Sequence, residues 1–509
     1  MSAAVSTGPV GAAPRLGGFA STVRSEWTKL RTVRGWVLGL GAAAVVLVLF
    51  GLVSAAGSER SCVGPGGAEC RAAVPPTGPD GTPVADRFSF AHRTLDGDGT
   101  VTVRVSDLRG GAEGPEPWAK AGLMLKDGTG QGSTYAAVMV TGAHGVRFQH
   151  DYVHDTAGSP GAVSPAEPRW LRLTREGRTV TGFESPDGSA WSEVGTVELA
   201  DLPAAAEVGA FVASPDHVET DLSPGAVDVD GGTTEAAADL SDLELDGASG
   251  VGAWTFAVVG ATPDAPGALT GDAGSGAFTL TGSGDVAPLV TEPTDRVEQS
   301  LVGAFAGIVV VIVVATMFMT SEHRRGVVLT SFAATPARRR VLAAKAVVVG
   351  VATFAVGLAA TLIALPIVGG ARTDRGATIA PVASLTEARI VVGTAALLAV
   401  AAVLAVGVAA LLRRSTGTVI AVVGATVLPY LLAVGSVLPS GLAEWLLRVT
   451  PAAGFAVQQS VAEFAQVDEL YVPATGFFPL SPLAGLAVAC AWAAVSLGVA
   501  AWHIERRDA

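Results

Sequence analysis

Three carboxylates stand at alternate positions in "SDLELDG": Asp242, Glu244 and Asp246, separated by Leu243 and Leu245. On a strand such positions share one face, and paired carboxyls on one face can cleave glycosides, one as acid and one as base or nucleophile. The same spacing describes a solvated outer face opposite a leucine-lined inner one, and this plainer reading is preferred. Trp118, Trp170 and Trp191 could stack on sugar rings or pack core and rim; Trp118 and Trp191 are kept as candidate ligand contacts. "DGDGT" (Asp96–Thr100) is too short for an EF-hand loop and predicts a hairpin turn. No metal-ligand spacing is found. Seven residues separate Cys62 from Cys70 in a Gly/Pro-rich stretch, which predicts a disulfide in an oxidising compartment or else two unpaired thiols. Cys490, inside an apolar run, reads as a small packing residue.

What must position these groups follows from composition. Of 509 residues, half are hydrophobic and only 16% charged, with a mean hydropathy of +0.48; a soluble protein carries about 25% charge. Six nearly uncharged runs are long enough to cross a bilayer: Trp36–Ala56, Leu301–Thr320, Ala346–Val368, Ile390–Leu412, Thr418–Val437 and Leu483–Trp502. "LVSAAG" at the end of the first resembles a cleavage site, but the run and its leader are too long, and an uncleaved anchor is expected.

The net charge of −13 divides unevenly. Residues 57–298 hold 14 basic and 36 acidic side chains, whereas the tails and alternate short loops hold 15 basic against four acidic. Basic loops stay in the cytoplasm. The expected topology is therefore a multi-pass cell-membrane protein with both termini cytoplasmic and 57–298 extracytoplasmic, and no nucleic-acid partner. The expected parts are a tail, interfacial helix and first span (1–56), an inserted domain (57–298, core about 81–290), and five further spans (299–509). The fold class is membrane all-α with an inserted all-β, jelly-roll-like sandwich.

Within the insertion, "TVTVRVSDL", "YAAVMVTG", "GVRFQHDYV" and "RWLRLTREG" alternate between turn signals, as sandwich strands do. "PWAKAGLMLKDG", "PRWLRLTREGRTVTGFESPDGSAWSEVG" and "EVGAFVASP" resemble concanavalin A-like lectin/glucanase (laminin G-like) domains over about 86–246. The hydrolases of that family carry a Glu-rich strand motif that "SDLELDG" does not reproduce. A later stretch, "WTFAVVGATPDAPGALTGDAGSGAFTLTGSGDVAP", resembles strands that usually precede such a domain. It is either a permuted completion of one sandwich or a truncated second copy.

Directly after the second apolar run comes "SEHRRGVVLTSFAATPARRRVLAAKA", an acid–base opening, a short apolar helix, a proline and three arginines. Binding to lipid phosphates explains the charge but not the pattern. Glu322, Arg324, Gly326, Thr335, Pro336, Arg338, Arg339, Ala344 and Lys345 match the "E-x-R-x-G" and "T-P-R-R-x-x-x-x-A-K" segments of ABC exporter permeases, and the chain resembles that family. "SEWTKLRTVRGW" is similar to its amphipathic helix before the first span, with Glu26, Trp27, Lys29 and Arg31. "EWLLRVTPAAGFAVQQS" is similar to its outer segment before the last span.

The resemblance implies that 321–345, with Arg325 among its cations, is a coupling loop seated on a separate cytosolic ABC ATPase that holds ATP and Mg²⁺. It also implies a homodimer or a homologous permease partner. This chain has no G-x-x-x-x-G-K-[ST] loop and no cofactor of its own is expected. Spans almost free of ionisable residues argue against ion-coupled transport. The insertion is long for that family and is expected to meet envelope glycan, cargo or a partner. The alternative is a membrane-anchored carbohydrate receptor without transport.

Overall fold

The computed structural model describes residues 18–57, 74–112, 114–224, 226–247, 253–261, 267–274, 276–290, 294–324, 338–468 and 470–506. Helices α1 (Phe19–Thr32) and α2 (Arg34–Ala56) precede the strands. After them come α3 (Ala304–Arg324), α4 (Arg338–Thr373), α5 (Ser384–Leu412), α6 (Ser415–Thr426), α7 (Leu428–Val434), α8 (Ser440–Val449) and α9 (Pro482–Arg506). Among the described residues, six helical segments are long and apolar enough to cross a membrane: Arg34–Ala56, Val297–Ser321, Arg338–Thr373, Ser384–Leu412, Ser415–Val434 and Pro482–Arg506. They contain the six apolar runs, apart from the last residues of the fifth.

Packing explains which helix faces where. Val311, Ile312 and Ala315 of α3 meet Leu397, Leu398 and Ala401 of α5 in one buried cluster. Leu38, Val53, Ile420 and Leu483 instead expose about 70% of their surface, which hydrocarbon tolerates and water does not. Small residues bring helices close: a Cβ on Gly303 would collide with the Leu47 carbonyl of α2. The fifth apolar segment breaks at Val427 because Pro429 has no N–H to continue the helix, and α7 restarts with that proline in its first turn.

Among the described residues, most strands form two antiparallel seven-stranded sheets, and three two-stranded pairs stand beside them. One runs, edge to edge, Ser192–Glu198, Thr179–Ser185, Arg169–Glu176, Gly99–Arg109, Ala236–Gly247, Phe278–Gly282 and Ala268–Gly271. The other runs Thr255–Val259, Phe88–Asp96, Ala205–Ala213, Lys120–Lys126, Tyr135–Thr141, Val146–His150 and His154–Ala157. Alternation places Val101, Val103 and Val105 against Leu123, Leu125 and Val138 in the core between the sheets. The second sheet is also covered on its other face, where Phe88, Phe90, Met124, Tyr135 and Phe211 pack beneath the pair Val84–Asp86 and Val286–Pro288. The later stretch therefore adds strands to these same two sheets: Thr255–Val259 pairs with Phe88–Asp96, and Phe278–Gly282 with Ala236–Gly247. Of the two arrangements open in the sequence, completion of one sandwich is the one observed.

"DGDGT" is not a hairpin. Phe88–Asp96 and Gly99–Arg109 belong to different sheets, so Gly97 and Asp98 form an arch between them. Gly97 adopts φ +83°, which suits glycine, and its N–H donates to the Ala204 carbonyl.

Candidate functional site

Two constellations of buried charge stand out, one at each end of the helical bundle. At the end away from the sandwich, α1 turns Thr22, Glu26 and Leu30 inward and leaves Trp27 and Arg31 exposed. Glu26 lies on the buried face of this helix. Its carboxylate, 2% exposed, accepts from Lys345 Nζ at 2.7 Å and Lys29 Nζ at 2.6 Å. Lys345 is equally buried and lies 4.7 Å over the Phe318 ring of α3, and Trp36 of α2 meets that ring edge-on at 5.8 Å. One ion cluster thus joins α1, α3 and α4. A charge so enclosed persists only when paired.

Of the expected coupling residues, Lys345 belongs to this cluster. Glu322 and Arg324 occupy the last turn of α3, but their side chains, and all of Arg325, Gly326, Thr335 and Pro336, lie outside the described residues. Arg338 and Arg339 open α4, and Arg339 pairs with Glu505 of α9 at the surface. Exposed pairs of that kind contribute little.

At the other end the chain leaves the sandwich through Thr294–Asp295, which pairs in parallel with Thr378–Ile379 after α4. The Asp295 carbonyl accepts from Ala380 N–H at 2.8 Å. Its buried carboxylate meets Arg372 Nε at 2.7 Å, and Arg372 also donates to Gln299 at 2.9 Å. The Arg296 guanidinium lies 4.3 Å over Phe477 and donates to the Val290 carbonyl. Gln466, between α8 and α9, donates to the Tyr152 carbonyl of the sandwich at 3.1 Å. Between these elements is a cleft of about 580 Å³ lined by Arg87, Glu116, Trp118, His217, Asp285 and Asp468. Glu116 pairs with His217 and Arg87 with Asp216. Burial pushes the Asp468 carboxyl above the usual carboxylate range, with His144 pulling it back.

The candidate sugar contacts also pack against neighbouring side chains. Trp118 is buried, stacked on His144 at 4.0 Å, with the Arg147 guanidinium 5.3 Å from the ring. Trp191 is covered on one face by Arg172 at 3.7 Å, and Trp170 packs on Gly188. The carboxylate triplet is interrupted by a bulge between Ser241 and Glu244, where Asp242 takes φ +53°. The extra residue switches the inward side from Ala236, Ala238 and Leu240 to Leu243, and leaves Asp242, Glu244 and Asp246 exposed. Among the described residues, no group of three His, Cys, Asp or Glu could hold a metal ion. Cys62 and Cys70 lie outside the described residues, and Cys490 is exposed on α9 instead of packing inside the bundle.

His150 gives the sandwich a pH signature. Burial, with His154 stacked 4.3 Å away, pushes its ring down to about 4 from an ordinary 6.5. A depressed histidine favours the neutral fold, so its stability is intact above pH 6.5 and falls as pH drops toward 4. Thermal unfolding should show that loss, about 1–2 kcal/mol once screening is allowed for, and His150→Gln should flatten it; an unchanged slope would remove His150 as the cause.

Neither a family model nor a curated protein matches this sequence. Solved structures align with the chain in part. A protein of unknown function from Saccharomyces cerevisiae is 15% identical and covers 31% of this chain and 74% of its own, with a TM-score of 0.20. A scytalido-glutamic peptidase bound to a transition state analog inhibitor is 10% identical, covering 39% and 98%, with a TM-score of 0.25. SCP-B, of the eqolisin peptidases, is 8% identical with the same coverage and a TM-score of 0.23. Likeness this low carries no statement about fold or chemistry.

Proposed function

We propose that this chain is the permease subunit of an ABC exporter, forming the transmembrane pathway while ATP and Mg²⁺ are held by a separate cytosolic ATPase. The Glu26–Lys345 pair carries the reading. It ties an amphipathic helix to the early turns of α4, at the last residue of the segment 321–345 that resembles a coupling loop. A loop pressed by a closing ATPase would then move α1 and α4 as one body, where an untethered coil would absorb the displacement. In this reading both termini are cytoplasmic, the acidic sandwich is extracytoplasmic, and a second permease half completes the pathway. The apolar span interiors suit an apolar or large amphipathic substrate, and the sandwich, concanavalin A-like in pattern, offers the cleft and its rim to envelope glycan or a partner.

Affinity purification of the full chain from its native membrane tests the proposal. A cytosolic ATP-binding subunit should accompany it at stoichiometric yield, and the charge reversals Glu322→Lys and Arg338→Glu should release that subunit without unfolding the chain. Absence of any ATPase, together with glycan binding by the full chain, would instead make it a carbohydrate receptor.

A further inference from the structure

The sandwich buries a further ion pair, apart from the two constellations already described. Lys126 ends its strand with Nζ 2.8 Å from Asp86 Oδ2, and both side chains are 0% exposed. The rings of Tyr135 and Tyr152 stand 5.7 and 5.3 Å from the ammonium. Burial pushes the Lys126 amine below its ordinary value, against the pull of Asp86.

The hydrogen bonds around the carboxyl are lopsided. Oδ2 accepts from Lys126 Nζ, from Tyr152 O–H at 2.7 Å and from Gly132 N–H at 2.8 Å. Oδ1 is buried and has no partner. A buried carboxylate oxygen left bare is costly in an ion pair. It would not exist in an amide. The retained carbonyl oxygen would keep the Tyr152 and Gly132 donors, and the single amide N–H would keep the Ser133 carbonyl, now 3.1 Å from Nζ. The polar atoms of Asp86, Lys126 and Tyr152 are then all satisfied.

We propose that Lys126 and Asp86 condense into an intramolecular amide, a covalent staple between the strand Lys120–Lys126 and the covering strand Val84–Asp86. A proton passes from the ammonium to the carboxylate, leaving amine and acid. The nitrogen attacks Cγ while Tyr152 O–H and Gly132 N–H hold the negative charge that develops on Oδ2. The C–Oδ1 bond then breaks, an amine proton joins the departing hydroxyl, and one water leaves through the cleft that Asp86 lines. No oxidant or further reactant is needed. Lys120 and Asp285 form a neighbouring pair, but Asp285 is 15% exposed, so that pair stays ionic and serves as an internal control.

Peptide mapping of the full-length, denatured chain decides the matter. Trypsin should cut after Lys120 but not after Lys126, and the peptide 72–87 should be found joined to 121–147, lighter than their sum by one water. Recovery of 72–87 and 121–126 as free, unmodified peptides in full yield would overturn the proposal. Lys126→Arg should abolish the joined species. Tyr152→Phe keeps the ring but loses the oxyanion donor, and should slow linkage about 100-fold; equally fast linkage would refute that role for Tyr152.

Discussion

Glu26→Leu is expected to destabilise the protein by about 3–5 kcal/mol, as removing one member of a buried ion pair does. The substitution leaves the Lys345 ammonium, 2% exposed, without the carboxylate that neutralises it. The Phe318 ring at 4.7 Å remains, but a cation–π contact contributes only about 2 kcal/mol when desolvated. Glu26→Leu combined with Lys345→Met removes both charges and should recover most of the loss, since an apolar pair fills the same space without desolvating anything. Unfolding of single and double variants in detergent supplies the cycle. A single variant within about 1 kcal/mol of the parent would mean that the pair does not hold α1 in place. Under the proposed function the cycle has a second readout. The double variant, stable but without its ionic tether, should bind the ATPase normally while transporting poorly.

Arg372→Leu should produce the second large effect, about 3 kcal/mol, at the opposite end. Asp295 would lose the guanidinium that meets it at 2.7 Å, and Gln299 a donor at 2.9 Å. The two-residue ladder with Thr378–Ile379 is too short to persist unaided, so the exit strand should detach from the segment after α4. Hydrogen exchange offers a direct measure. The Ala380 amide, bonded to the Asp295 carbonyl, should exchange faster in the variant, while amides in the sandwich core such as Leu123 and Val138 stay protected. Unchanged exchange at Ala380 would show that the backbone ladder alone maintains the joint.

Much of this architecture was legible because it depends on local periodicity. An uncharged run such as Ile390–Leu412 has few ways to satisfy its backbone except as a helix, and "TVTVRV" places Val101, Val103 and Val105 on one face whatever they meet there. The "DGDGT" turn misled for the complementary reason. Gly97 and Asp98 specify a tight reversal, but not whether the next strand returns to the same sheet or crosses to the other. The carboxylate triplet likewise alternates in sequence, and its bulge at Asp242 depends on the pairing with Gly99–Arg109.

The sequence by itself determined the six apolar runs long enough to cross a membrane, the acidic β-rich insertion and the cationic segment between the second and third of those runs. These follow from the solvent each stretch can tolerate, which is a property of neighbours in the chain. Only the tertiary structure decided that Glu26 meets Lys345, Asp295 meets Arg372 and Asp86 meets Lys126. Each pairing is of residues far apart in sequence, and it forms because packed apolar surfaces exclude the water that would otherwise solvate the charges.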